Sequence, residues 1–378
     1  MQSCFLPQVH SIEITLAHEY IKPQISIRHR EGLSTMEYST EAIAETVIMR
    51  HHATVPFTHY AGLLTLQGLI NLAQTTGRSD LRELACKWLK PFYTGEVTRV
   101  GGVYDKMYRC GGHASALLVK YDMAPEALPT LIAKADELIQ THPRDEHGLF
   151  GRIEAPEKIW IDTLFAVCPF LAVLGNITGR KEFIDEALHQ IHGFCNLLID
   201  KGQGLYHQCR NFQGPGTMSE DHWSRANGWA ALALSELLFE CPDNTEIHQL
   251  YTALMDACAN VQDENGLWHQ ELTRRDSYIE TSGSGLILYA IGRGLERGVL
   301  PERFHTIFMH GLRGYLGYIG LDGSVYHACK GCLSPGQARI EDYMNHPWVR
   351  NDIHAFGPAV LAFGQALRLG VTTIFSVE

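Results

Sequence analysis

Gly148-Leu149-Phe150, Gly204-Leu205-Tyr206-His207, Gly266-Leu267-Trp268-His269 and the looser Gly323-Ser324-Val325-Tyr326-His327 are copies of one phrase, set 56, 62 and 57 residues apart. Asp145, Asp200, Asp263 and Asp322 precede them, and Gly102-Val103-Tyr104 reads as an earlier, degenerate copy. Each copy reads as a turn that ends a helix. Glycine supplies a backbone that can reverse, and the apolar residues after it lead back toward a core. Recurrence at near-constant spacing marks a repeated structural unit.

Between the phrases, and before the first and after the last of them, apolar residues recur at three and four, the period of a helix with one buried face. The pattern predicts helices over 41–51, 61–76, 79–93, 112–123, 125–141, 159–177, 181–200, 222–239, 244–262, 282–297, 301–318 and 355–369. Twelve helices make six antiparallel hairpins, which either stack as an open solenoid or close into a ring. No obviously polar repeat caps either end, which favours the ring. The expected fold class is therefore all-α, a six-hairpin toroid. No interdomain linker is visible, so residues 1–378 are read as one domain.

Two segments depart from the helical period. Residues 1–40 form an N-terminal arm in which Ile12, Ile14, Leu16, Ile25 and Ile27 alternate with polar residues, like a short strand pair. Such an arm offers an edge for a homodimer contact. Residues 319–353, with Trp348, are poor in helical pattern, and a long segment of that kind is a candidate cover over a site.

Composition narrows the function. The chain has 378 residues, 45% hydrophobic and 19% charged, which is globular. Its net charge of −11 speaks against nucleic acid or an anionic membrane as partner. MQSCFLPQVH lacks the basic and apolar regions of a secretory signal, and no run of eighteen apolar residues occurs. A cytoplasmic protein with reduced, mostly buried cysteines is expected.

Four stretches carry candidate chemistry. In Trp160-Ile161-Asp162-Thr163-Leu164 the carboxyl lies in the first turn of an apolar helix. There it either serves the helix dipole or, walled in beside Trp160, keeps its proton as a general acid. In His222-Trp223-Ser224-Arg225-Ala226-Asn227-Gly228-Trp229, Arg225 offers a fork for a carboxylate and the tryptophans offer platforms for a sugar ring; a core Trp pair with a surface Arg is the plainer account. Asp276–Ser284 reads as a capped helix start, and Asp352-Ile353-His354 precedes the last helix. All four lie at the N-terminal ends of alternate helices, which a ring of hairpins brings to one rim. Cys329-Lys330-Gly331-Cys332 with His327, and Cys110 with His113, resemble halves of a zinc site without its usual paired spacing, so no metal is assigned. No G-x-G-x-x-G on a strand, P-loop or G-x-S-x-G elbow is present.

Taken together and in order over residues 100–370, the stretches Trp160–Phe165, Thr178-Gly179, Gly204–His207, Trp223–Trp229, Gly266–Gln270 and Asp276–Ser284, with Asp352 and His354, resemble glycoside hydrolase family 105, the unsaturated rhamnogalacturonyl hydrolases and their relatives. The resemblance implies an (α/α)6 barrel, in agreement with the twelve helices. It implies removal of a terminal 4,5-unsaturated uronic acid, galacturonyl or glucuronyl, from oligosaccharides left by polysaccharide lyases. Acid protonates C4 of the vinyl ether, water adds at C5, and the resulting hemiketal opens. Asp162 matches the family's general acid/base. His207, Trp223, Arg225 and Trp229 match residues lining its sugar pocket, with Trp160 beside the acid. No cofactor is implied.

Two departures stand out. The family's second Asp, expected near Arg109–His113, is absent, Asp105 being the nearest carboxylate. A His about eleven residues before the acid is replaced by Gly151. His113 or Arg152 is a candidate to take over part of these roles. A catalytically silent sugar-binding protein on the same barrel, another sugar reaction there, and a toroidal zinc protein are the alternatives.

Overall fold

The structure, a computed structural model, describes residues 25–30, 33–102, 104–333 and 339–377. Among these, twelve helices have nine residues or more: α1 Thr40–Thr54, α2 Tyr60–Thr76, α3 Ser79–Tyr93, α4 Gly112–Lys120, α5 Leu128–Thr141, α6 Asp162–Thr178, α7 Lys181–Leu198, α8 Ser224–Glu240, α9 Thr245–Asn260, α10 Thr281–Arg297, α11 Arg303–Leu316 and α12 Phe356–Arg368. Each falls on one of the predicted segments.

Alternate helices line an inner ring. α2 packs on α4, α4 on α6, α6 on α8, α8 on α10, α10 on α12, and α12 returns to α2. Each inner helix carries one outer helix: α3, α5, α7, α9 and α11 in turn, while α1 backs α12. The molecule is thus a closed (α/α)6 toroid, and its last hairpin joins the two ends of the chain. Composition explains which helices lie inside. α8 and α10 are buried around almost their whole circumference, whereas α7 and α9 bury one stripe only. Glycine lets the inner helices touch. A Cβ on Gly283 would lie 2.2 Å from Ser224 Oγ, and one on Gly357 would lie 2.8 Å from the Leu64 side chain.

The ring is fastened at the seam by a three-stranded sheet. β1 (Ile25–Arg30) pairs antiparallel with β2 (Leu33–Ser39), and β2 with β3 (Thr373–Val377). Thr40 reinforces the seam by donating its N–H to Thr372 O and its hydroxyl to Val371 O. The described part of the N-terminal arm thus closes the ring within one chain; its residues 1–24 lie outside the described residues.

The repeated phrases are turns of one design. Gly148, Gly204, Gly266 and Gly323 have φ of 78°, 72°, 91° and 77°, a region that only glycine enters without strain. The preceding aspartates brace the turns: Asp145, Asp200, Asp263 and Asp322 each accept a backbone N–H through Oδ1. Phe150, Tyr206 and Trp268 then drop into the core. No disulfide joins the described cysteines, and no described helix is long and apolar enough to cross a membrane.

Candidate active site

Because the inner helices run the same way, their N-terminal ends converge on one rim. A cavity of about 270 Å³ opens there. Its wall takes His59 and Tyr60 from the start of α2, Tyr104 and Tyr108 from the approach to α4, Trp160, Asp162, Thr163 and Phe165 from the start of α6, and His354 from before α12. Gly151, Arg152 and Lys158 come from the turn preceding Trp160, and Gly331 and Cys332 from the 319–353 segment.

Asp162 is set by local pairing. Trp160 faces Cys209 in a two-residue strand pair, and Ile161 N–H donates to Gln208 O at 2.9 Å, so the chain enters α6 in a fixed direction. Asp162 Oδ1 is buried without a hydrogen-bond partner. Burial pushes the carboxyl up to about 7, while the charge of Arg225, a backbone N–H, the Trp160 indole and the charge of Arg152 restrain the rise. The group therefore holds its proton close to neutrality.

That shift has a stability consequence. The folded chain keeps the Asp162 proton across the interval from about pH 4 to about pH 7, where the unfolded chain has released it. The cost of the buried charge grows as pH rises through this interval and is complete above it. Asp162→Asn removes that cost, so thermal unfolding is expected to show a larger stabilisation of the variant at pH 8 than at pH 5. Equal shifts at both pH values would contradict the buried acid.

Opposite Asp162 stands a second polar unit. His354 Nδ1 donates to Asp352 Oδ1 at 2.6 Å, and Tyr60 OH donates to His354 Nε2 at 2.8 Å. Burial and the Arg225 charge pull His354 down to about 4, against the pull of Asp352. Burial would raise Asp352, but the hydrogen bond and charge of His354 hold it down at about 2. At neutral pH the relay is carboxylate, neutral imidazole and phenol, which directs the remaining lone pairs of the Tyr60 oxygen away from the imidazole.

The other expected site residues are placed as follows. Trp160 lines the cavity beside Asp162. Arg225 lies fully buried behind the wall. Its Nη1 donates to Ser282 Oγ (2.9 Å) and Cys329 O (3.1 Å), its Nη2 to Gly331 O, and its guanidinium lies 4.2 Å above the Trp223 ring. The other side of the Trp223 environment is taken by Tyr343, stacked at 5.1 Å. Trp229 is buried one layer deeper, stacked on Phe165 at 4.6 Å and tilted against Tyr60 at 6.1 Å. His113 packs inside the ring, 3.9 Å from Glu236, which also binds Gln67 and Tyr289. His207 lies outside the cavity against His222, with ring centroids 4.9 Å apart.

The half-sites considered for zinc do not meet: Cys329 Sγ accepts from Gln270 on the α10 side, whereas His113 belongs to the Glu236 cluster. Among the described residues, the metal-ligating side chains that do converge are Asp200, His207 and His222.

The two departures also find their places. A Cβ at Gly151 would come within 1.8 Å of Pro156 O, so the tight turn over 151–158 admits no side chain there. Asp105 faces away, bound to Arg109 and to Val100 N–H. Among the described lining residues Asp162 is the one carboxylic acid, and Arg152 and Lys158 are cations in no described ion pair. Tyr60 and Tyr108 were not anticipated. Extending the helix-start rule from 159, 222, 282 and 355 to the starts near 61 and 112 points to both.

The helices form a closed (α/α)6 toroid, and among the described residues lining the cavity at its N-terminal rim Asp162 is the one carboxylic acid. The family model described as Glycosyl Hydrolase Family 88 matches residues 35–370, and the chain belongs to that family. The unsaturated rhamnogalacturonyl hydrolase YesR of Bacillus subtilis (strain 168) is 30% identical over 190 residues, covering 48% of this chain and 55% of that protein. The chain thus spans about half the length of this curated relative. Protein Atu3128 of Agrobacterium fabrum is 30% identical over 229 residues, 53% of this chain and 98% of that protein. In three dimensions, a possible member of glycoside hydrolase family 105 from Klebsiella pneumoniae superposes with a TM-score of 0.80 at 19% identity, covering 97% of this chain and all of the other. The family resemblance and the barrel expected from the motifs are borne out.

Proposed function

We propose that the chain removes the terminal 4,5-unsaturated uronic acid from oligosaccharides cut by polysaccharide lyases. The observation that carries this reading is the single raised carboxyl among the described lining residues, accompanied in the same wall by two cations, Arg152 and Lys158, that make no described ion pair. Ordinary retaining or inverting hydrolysis needs two carboxyl groups across the scissile bond. Hydration of a vinyl ether needs one, provided it is protonated when substrate arrives.

The chemistry follows from that one acid. Asp162 gives its proton to C4, and the double-bond electrons leave positive charge at C5, shared with the ring oxygen. Water adds at C5 and returns a proton to the Asp162 carboxylate. The C5 hemiketal then opens, and the collapse releases the partner sugar. Tyr60, held by His354 and Asp352, is placed to accept a hydrogen bond from the water or from a substrate hydroxyl. Arg152 and Lys158 supply charge for the substrate carboxylate, and the converging helix N-termini add to it.

Elimination by a lyase removes the C4 substituent and flattens C5, so galacturonyl and glucuronyl units become the same unsaturated residue. Selection between polysaccharides then falls on the aglycone. The test is direct: lyase-cut pectin, glycosaminoglycan and ulvan fragments are incubated with the protein, and the ultraviolet absorbance of the conjugated double bond is followed. Loss of absorbance with at least one of them is expected. Constant absorbance with all three refutes the reading.

A further inference from the structure

Asp200, His207 and His222 meet outside the catalytic cavity, in the turn after α7 and the approach to α8. One ligating atom from each lies within 4.8 Å of the other two. His222 Nε2 is 2.9 Å from Asp200 Oδ2, and the two imidazoles are inclined by 36°. Asp200 Oδ1 is spent on the Gly202 N–H, which fixes the carboxylate with its other oxygen inward.

Comparison within the repeat shows that this arrangement is particular to its position. In the next phrase His269 is fully satisfied: one nitrogen lies 3.0 Å from Asp263 Oδ2, the other 2.6 Å from Ser277 O. In the phrase ending at His207 the aspartate turns to His222 instead, and His207 Nδ1 is buried without a partner. His222 Nδ1 is also buried and makes no hydrogen bond, with Glu271 Oε1 3.6 Å away. Glu271 is itself completely buried, pinned by the His222 backbone N–H at 3.0 and 2.8 Å. A carboxylate behind the far nitrogen of an imidazole is the outer-shell arrangement that orients metal-bound histidines.

We propose that Asp200, His207 and His222 form a site for a divalent first-row transition metal, with Glu271 orienting His222. Two imidazoles, one carboxylate and a solvent position suit Zn²⁺, and the ion takes the place of the proton shared by His222 and Asp200. It would clamp the turn after α7 to the segment that carries Trp223 and Arg225 into α8. None of the three ligands lines the cavity with Asp162, so the ion is a fastening, and the proposal is independent of the hydrolytic reading.

The experiment titrates chelator-stripped full-length protein with Zn²⁺ in competition with a chromophoric chelator, and repeats the titration with Co²⁺ while recording its visible ligand-field bands. One ion per chain is expected. His207→Ala should weaken binding by about a hundredfold or more and alter the Co²⁺ bands; Glu271→Gln should weaken it by about 10–100-fold, the usual cost of an outer-shell loss. His269→Ala, at the matching position of the next phrase, should leave binding unchanged. Asp200→Asn serves in place of His207→Ala if circular dichroism shows the latter unfolded. Absence of stoichiometric binding by the wild type, or equal binding by the ligand variants, overturns the site.

Discussion

Asp162→Asn is expected to lower kcat on an unsaturated oligosaccharide by about a hundredfold or more, within the range of about 10²–10⁴ that a positioned acid contributes. Asparagine keeps the size of the side chain and its place beside Trp160, so KM should move far less than kcat. What it lacks is a proton to give to carbon, and a buried carboxyl at about 7 is half-loaded with that proton at neutral pH. The same group sets the pH profile. Above pH 7 the wild-type rate should fall about tenfold per unit as the acid empties. Stopped assays of double-bond absorbance across pH 5–9 measure both effects. Equal kcat in wild type and variant would remove Asp162 from the chemistry, since no second carboxylic acid lines the described wall to take its place.

Much of this architecture is legible in sequence because helical repeats write themselves twice, in period and in punctuation. The four phrase glycines sit at positive φ, and the six helices α6–α11 fall between them two by two. The site is less legible. Inner helices are buried on nearly every side, so apolar periodicity no longer says which residue of a first turn faces the cavity and which faces a neighbouring helix. Trp223 and Trp229 look like sugar platforms by composition, yet one packs against Tyr343 and Arg225 and the other against Phe165. Arg225 looks like a free fork because two of its three partners, Cys329 O and Gly331 O, are backbone carbonyls about a hundred residues away that no side-chain pattern announces. Asp162 was legible because its neighbour Trp160 and its place at a helix start both fit a walled-in acid. Gly151 shows the reverse case: a histidine is missing where Pro156 O leaves no room for any side chain.

Arg152→Gln and Lys158→Gln together are expected to raise KM by about tenfold or more while kcat changes by a smaller factor. A hydrogen bond to a charged group is worth about 1.5–3 kcal/mol, and losing it from bound substrate and transition state alike appears in KM. Both cations line the cavity, and Arg152 lies 5.3 Å from the Trp160 ring centroid, beside the acid. Arg225 cannot substitute, because both terminal nitrogens of its fork are already bound. A second readout separates recognition from mere surface charge. The positive charge of Arg152 restrains the Asp162 pKa, so Arg152→Gln alone should move the basic limb of the activity profile to higher pH. Added salt should raise the wild-type KM and affect the double variant little, since screening acts on the cations that have been removed. An unchanged KM with an unmoved limb would mean that both side chains are solvated at the rim and that the uronate carboxylate is held by the helix N-termini alone.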